Sequence, residues 1–173
     1  MGFIHLYFGN GKGKTTAAIG QCIRALGYDK KIIFAQFLKG SQSGEINYLS
    51  DKDNIIILRN SEDLGFTNTM NTHDIRSITD FHNTTLKEIS HILDTKQIDI
   101  LVLDEILDAY NENLLDKDFL KKIINTKPDN LEIILTGRTP DKYFIEISSY
   151  ITEMKKIKHP YDNKILARKG IEY

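Results

Sequence analysis

Glycines and cations near the start of the chain are the residues that point most directly to chemistry. In YFGNGKGKTTAA, residues 7–18, alternating glycines are followed by Lys14 and Thr15. The common phosphate-binding pattern is G-x-x-x-x-G-K-[ST], whose backbone N–H groups surround phosphate oxygens. Here the first glycine comes one place late, at Gly9, and Phe8 stands where that pattern has glycine.

This stretch predicts a loop that binds the phosphates of a nucleotide. A helical pattern begins at Lys14, so the positive end of a helix dipole would face the anion. Lys14 would supply a mobile positive charge, and the hydroxyl of Thr15 would bind Mg²⁺. The alternative is a glycine-rich turn without a ligand, which the strand before it and the helix after it disfavour. The predicted phosphate contacts are Gly9, Asn10, Gly11, Lys12, Gly13, Lys14, Thr15 and Thr16.

A pair of carboxylates follows a buried strand in LVLDE, residues 101–105. Ligands of open α/β sheets bind at the carboxyl ends of the strands, and a Mg²⁺–phosphate site needs a carboxylate there. We therefore predict that Asp104 holds the metal, directly or through water. Glu105 is either a second metal contact or a general base for water. The alternative is an acidic N-cap for the helix that follows.

Two arginines are candidates for further contacts with a phosphate chain. Arg138 follows a predicted strand in LTGRTP, and Arg24 lies ten residues past Lys14 on the first predicted helix. The alternative for both is a solvated surface arginine. We include Arg24 and Arg138 among the predicted ATP contacts.

The composition excludes several classes of protein. The 173 residues include 23 Lys and Arg against 24 Asp and Glu, whereas a general nucleic-acid-binding protein normally has a basic excess. Cys22 is the single cysteine, so neither an intrachain disulfide nor a thiolate zinc site is available. The run 3–8 is too short for a signal peptide, and no run approaches the ~18 apolar residues of a membrane span. We therefore expect a cytoplasmic protein that binds neither nucleic acid nor membrane.

Apolar runs alternate with helical periodicity along the chain, which is typical of a parallel sheet covered on both faces. We predict one α/β domain over 1–173, with a mostly parallel, doubly wound sheet and an irregular tail from about 155. Three histidines, His73, His82 and His91, are spaced nine apart on one predicted helix. Neighbours in this series face opposite sides, so we expect partly exposed histidines and no shared metal. The predicted strands are 3–8, 31–37, 54–58, 98–103, 131–137 and 150–154, and the predicted helices are 14–26, 72–94, 106–112, 116–125 and 141–148.

An ordered set of motifs resembles the P-loop type of ATP:corrinoid adenosyltransferases nearly from end to end. The first glycine of the opening loop lies one position later than in the common motif, and this spacing is the pattern of the family. The motifs include GNGKGKTTAA (9–18), IRALG (23–27), QFLKG (36–40), GFT (65–67), VLDE (102–105), LTGR (135–138), TEMKKIKHPYD (152–162) and KGIEY (169–173).

This resemblance implies a RecA-like P-loop fold, a homodimer, and a reaction in which a reduced Co(I) corrinoid attacks the 5′ carbon of ATP. Triphosphate leaves, and ATP lies reversed in the loop, with its γ-phosphate where the α-phosphate usually sits. Lys14 and Thr15 would act on the leaving group, with Mg²⁺ held by Thr15, Asp104 and Glu105. Because Co(I) needs no general base, Glu105 would be a metal contact. A reductase or flavin would supply the electrons.

The resemblance also implies a corrinoid contact at Phe66, which would wedge below the corrin ring. Asn68 stands where the family often has tryptophan, so half of that apolar wedge is missing here. Two other functions stay open from the residues alone. One is a P-loop phosphotransferase similar to the nucleoside kinases, and the other is a non-catalytic module that binds ATP or a corrinoid as a signal.

Overall fold

The computed structural model describes residues 1–38, 40, 43–60 and 71–173. Six strands form one sheet in the order β3-β2-β4-β5-β1-β6, and all neighbouring strands are parallel. The strands are β1 (Ile4–Phe8), β2 (Ile32–Gln36), β3 (Ile55–Arg59), β4 (Ile100–Asp104), β5 (Glu132–Gly137) and β6 (Tyr150–Glu153).

Helices follow the strands, and all of them except α2 are predicted from the sequence. They are α1 (Lys14–Leu26), α2 (Gly44–Leu49), α3 (Thr72–Thr95), α4 (Ile106–Asn111), α5 (Lys117–Asn125) and α6 (Lys142–Ile147). A 3₁₀ turn at Pro160–Asn163 is the regular element of the tail, which is otherwise irregular. Every helix in the described ranges is too short or too polar to cross a bilayer.

The sheet is buried between two hydrophobic clusters, one on each face. In β2, Ile32 and Phe34 pack into the cluster that contains α1 and α2, whereas Ile33 and Ala35 pack into the cluster that contains α3 to α6. Because both faces are covered, the central strands are apolar at consecutive positions rather than at alternate ones. The prediction of an α/β fold with helices on both faces of a parallel sheet is confirmed.

Helix α2 was not predicted from the sequence. It has six residues, of which Ile46 and Leu49 are buried. Two apolar positions are too few to show a helical period, so this helix depends on packing against the sheet. The outer strand β6 is exposed along its whole length.

His82 corrects the expectation of three partly exposed histidines, because its side chain is fully buried in α3. The backbone N–H of Leu38 donates to Nε2 over 3.3 Å, so Nδ1 carries the proton and donates to the carbonyl of Leu114 over 2.8 Å. The ring also packs against Phe37, with centroids 5.0 Å apart. Burial lowers the pKa of His82 to about 4, so the side chain is neutral at physiological pH.

This buried histidine should make the protein less stable in mild acid. His82 binds a proton near pH 6.5 in the unfolded chain but only near pH 4 in the folded chain. The free energy of unfolding should therefore fall between these pH values, with a His82 contribution of up to about 3 kcal/mol. Urea unfolding from pH 5 to 7.5 should show a steeper pH dependence for the wild type than for His82→Gln. His91→Gln, a change of an exposed histidine on the same helix, is the control, and identical slopes in all three proteins would contradict the prediction.

Candidate active site

The predicted phosphate loop, acidic pair and Arg138 meet at one edge of the sheet. The loop joins β1 to α1, Asp104 ends β4, and Arg138 follows β5. Strands β4, β5 and β1 are consecutive neighbours in the sheet, and parallel strands present their carboxyl ends on the same side. The topology therefore assembles residues that are distant in the sequence.

Asp104 is fully buried and accepts hydrogen bonds from side chains on three elements. The hydroxyl of Thr15 donates to Oδ1 over 2.9 Å, and the hydroxyl of Thr136 on β5 donates to the same oxygen over 2.7 Å. The amide Nε2 of Gln36, on β2, donates to Oδ2 over 3.0 Å. Because Thr15 gives its proton to Asp104, the lone pairs of its oxygen remain available to a cation. The two arrangements predicted for Asp104 are direct contact with the metal and contact through water. This geometry favours contact through water, with Asp104 also orienting the hydroxyl of Thr15.

Lys14 bends back over the loop from the first turn of α1. Its Nζ donates to the carbonyl oxygen of Gly11 over 3.1 Å. This hydrogen bond holds the ammonium group above the loop, at the helix end whose backbone N–H groups carry partial positive charge. The arrangement fits the contact with phosphate predicted for Lys14.

Glu105 occupies the N-cap position of α4 with φ of 59°, but its side chain makes no capping hydrogen bond. The alternative of an acidic N-cap therefore does not describe what this side chain does. Burial raises the pKa of Glu105 to about 8, with further contributions from the charge of Asp104 and a hydrogen bond with Asp108. The charge of Lys14 acts in the opposite direction. The neutral form of this carboxyl group is therefore favoured mainly because the group is buried.

These donors fit a magnesium ion that keeps most of its own water. Among the residues that the structure describes, no three His, Cys, Asp or Glu side chains form a metal cage. Mg²⁺ commonly binds through one or two protein oxygens together with phosphates and waters. The oxygen of Thr15 and the carboxylate of Glu105 fit the first role, with Asp104 behind them. A cation would also replace the proton that burial holds on Glu105.

The unusual glycine spacing has a structural cause. The segment after β6 crosses the loop, and the N–H of Gly11 donates to the carbonyl of Met154 over 2.6 Å. A Cβ added at Gly9 or at Gly11 would lie 2.6 Å from that same carbonyl oxygen. Phe8 is the last residue of β1, and its carbonyl accepts from the N–H of Met154 over 2.7 Å. The glycines are therefore required where the chain crosses the loop, and position 8 is an ordinary strand residue.

The tail also contacts the loop at Asn10. The side-chain oxygen of Asn10 accepts from the N–H of Lys156 over 2.9 Å. Hydrogen bonds from Arg168 lower the pKa of Glu172, and the charge of Lys12 adds to this effect, so Glu172 lies within electrostatic range of the loop. The predicted loop residues are thus held by the tail as well as by β1 and α1.

Arg138 is held beside the loop through its backbone. Its N–H donates to Oδ2 of Asp108 over 2.9 Å, and its carbonyl accepts from the N–H of Gly9 over 2.9 Å. Arg24 lies elsewhere, in the last turn of α1, about 15 Å from Lys14 along the helix axis at 1.5 Å per residue. Its guanidinium donates to Oε1 of Gln21 over 3.4 Å. The structure therefore brings Arg138 to the loop but not Arg24, and contact with ATP stays a prediction for both.

Three site residues were missed at the sequence level, namely Gln36, Thr136 and Asp108. Gln36 ends the otherwise apolar strand β2, and Thr136 follows the apolar run 133–135 of β5, so that signal was visible in QFLKG and LTGR. Asp108 showed no such signal within α4. The predicted corrinoid contacts Phe66 and Asn68 lie outside the described residues.

The strand order, the loop and the Thr15–Asp104 pair define a P-loop nucleotide-binding protein with a RecA-like α/β fold. The fold is similar to that of the KaiC-like protein PH0186 from Pyrococcus horikoshii OT3, with a TM-score of 0.55 and 16% identity over 90% of this chain and 74% of that chain. The family model described as ATP:corrinoid adenosyltransferase BtuR/CobO/CobP matches residues 1–173. The chain belongs to this family of transferases.

Curated relatives agree with this assignment. The corrinoid adenosyltransferase of Escherichia coli (strain K12) is 31% identical over 99% of this chain and 86% of its own length. The corrinoid adenosyltransferase CobA of Salmonella typhimurium (strain LT2) is 30% identical over 99% of this chain and 86% of its own length. The corresponding enzyme of Pseudomonas aeruginosa is 30% identical, over 99% and 84%.

Proposed function

We propose that this protein transfers the 5′-deoxyadenosyl group of ATP to a reduced Co(I) corrinoid and releases triphosphate. The electron pair of Co(I) forms the new bond to C5′, and the C5′–O bond breaks with its electron pair leaving on the triphosphate. The family membership supports the substrates. The structural observation that carries the proposal is the phosphate loop backed by the buried Thr15–Asp104 hydrogen bond.

Catalysis in this scheme consists of positioning and stabilisation of the leaving group. Negative charge develops on the triphosphate as the C5′–O bond breaks, so groups fixed around the phosphates act where the charge appears. Lys14 and the backbone N–H groups at the start of α1 bind the phosphates, and Arg138 contacts them from the neighbouring strand. We propose that ATP lies reversed in this loop, which leaves the ribose end free to face the corrin.

Mg²⁺ would add positive charge to the leaving triphosphate. Thr15 and Glu105 would hold it, and Asp104 would keep the hydroxyl of Thr15 oriented by accepting its proton. We assign Glu105 to the metal because attack by Co(I) removes no proton. Its pKa of about 8 in the free protein is raised mainly by burial, and a bound cation would lower it.

On the corrinoid side, we propose that Phe66 contacts the lower face of the corrin and that Asn68 replaces part of the apolar wedge. The protein would act as a cytoplasmic homodimer and receive electrons from a reductase or a flavin. Arg24 is exposed at the end of α1 that lies far from the loop. Within one chain it is therefore too distant to contact the triphosphate, and its predicted contact would require a different arrangement of the protein.

The products of an anaerobic reaction test the proposal. ATP, Mg²⁺ and chemically reduced cobalamin should yield adenosylcobalamin and triphosphate in equal amounts, measured by absorbance and ion chromatography. Formation of ADP with phosphorylation of a nucleoside would indicate the kinase-like alternative instead. Tight binding of ATP and corrinoid without turnover would indicate a binding module.

A further inference from the structure

Gln36 is a buried polar residue whose place in the sheet is next to the proposed metal site. It ends β2 after four apolar residues and is 1% exposed. In the register of β2 and β4 it lies directly opposite Asp104. Its Nε2 donates to Oδ2 of Asp104 over 3.0 Å.

The other end of the same amide is not satisfied. Oε1 of Gln36 is buried and has no hydrogen-bond partner in the described part of the chain. Exchanging the amide oxygen and nitrogen would place two acceptor oxygens 3.0 Å apart, so the hydrogen bond to Asp104 fixes the orientation. A buried acceptor without a partner costs free energy, and such atoms are uncommon in folded proteins.

The surroundings of Gln36 indicate what this oxygen could accept from. Gln36 and Asp104 continue the strand faces of Phe34 and Val102, which pack with α1. Asp104 also holds Thr15 at the start of α1, so one carboxylate joins the amide to the proposed metal ligand. Ser43, at the start of α2 on this same face, carries the other buried side-chain atom without a partner in the described ranges.

We propose that Gln36 is a positioning residue for the hydrated cation that accompanies ATP. Its Nε2 orients Asp104, and its Oε1 accepts a hydrogen bond from a water of the cation when the nucleotide is bound. The inference rests on the proposed function only in requiring Mg²⁺ and ATP at this loop. Partners of this kind commonly change metal affinity by about 10- to 100-fold when removed.

Calorimetric titration of ATP, once with Mg²⁺ and once with EDTA, tests this role. Gln36→Met has a side chain of similar length without the amide. In EDTA, its Kd for ATP should lie within about twofold of the wild-type value. The factor by which Mg²⁺ increases the affinity for ATP should be about tenfold smaller than in the wild type. Gln97→Met is the control, because Gln97 is exposed and precedes β4, at the end of the sheet opposite to the phosphate loop.

The outcomes separate this inference from the proposed function. No effect of Mg²⁺ on ATP binding by the wild type would overturn the proposed metal and this role of Gln36 together. A normal Mg²⁺ gain in Gln36→Met would overturn the inference alone. If Gln36→Met weakens ATP binding equally with and without Mg²⁺ and also lowers the melting temperature, Gln36 has only a structural role and the inference is overturned. If Gln36→Met does not fold, Gln36→Asn, whose amide is one methylene further from Asp104, should show the same loss of the Mg²⁺-dependent gain in ATP affinity. Binding of Mn²⁺, followed by electron paramagnetic resonance, measures metal affinity at this site without turnover.

Discussion

Replacing Lys14 by alanine should lower kcat/KM for ATP by about a hundredfold to a thousandfold, the usual effect of removing one group that stabilises charge in a transition state. The ammonium group is already held over the loop by the carbonyl of Gly11. Little reorganisation is therefore needed for its proposed contact with the triphosphate. Because the charge on the leaving group grows as the C5′–O bond breaks, kcat should fall as well as the affinity for ATP. Anaerobic adenosylation rates over a range of ATP concentrations measure both quantities.

Lys87→Ala is the matched control for this experiment. It removes the same charge from an exposed position on α3. Lys14→Arg should recover only part of the activity, because a guanidinium keeps the charge but not the compact shape of an ammonium group. Activity of Lys14→Ala within twofold of the control would contradict the assignment of Lys14 to the leaving group.

Replacing Gly11 by alanine should both destabilise the protein and weaken ATP binding. The new Cβ would meet the carbonyl oxygen of Met154 at 2.6 Å and the backbone carbon of Lys155 at 3.0 Å. Both are backbone atoms, so the loop or the crossing segment must move. We expect a loss of about 1–3 kcal/mol in the free energy of unfolding, as for other overpacked sites. ATP affinity should fall by about tenfold or more, which corresponds to about 1.4 kcal/mol.

Gly20→Ala is the matched control, and it should have the opposite effect on stability to Gly11→Ala. Gly20 lies within α1, and an added Cβ there meets nothing within 4 Å. Alanine is the better helix former, so this variant should be more stable by about 0.5–1 kcal/mol. Thermal unfolding and ATP titration of the two variants side by side make the comparison. If Gly11→Ala binds ATP as Gly20→Ala does, the crossing segment has no influence on the phosphate loop.

Much of the fold and part of the site could be predicted from local patterns. Apolar runs predicted the strands β1 to β5, and the helical period predicted the long helices α1 and α3. The exposed strand β6 was also predicted, although its residues form no apolar run. Helix α2 was missed because its two buried residues show no period. His82 was misjudged because its sequence spacing gives no information about what packs around it. Its partners Leu38 and Leu114 lie 44 and 32 residues away in the chain.

Residue types at short, fixed spacings were enough to indicate the phosphate loop, the acidic pair and the family. How these parts are arranged around one another depends on long-range contacts in the folded chain. It placed Gln36 against Asp104 across 68 residues, Thr15 against Asp104 across 89, and Lys156 against Asn10 across 146. The physical reason is that a parallel sheet orders its strands differently from the chain. The neighbours of a buried carboxylate, and the backbone that requires Gly9 and Gly11, are therefore fixed by strand order and not by sequence distance.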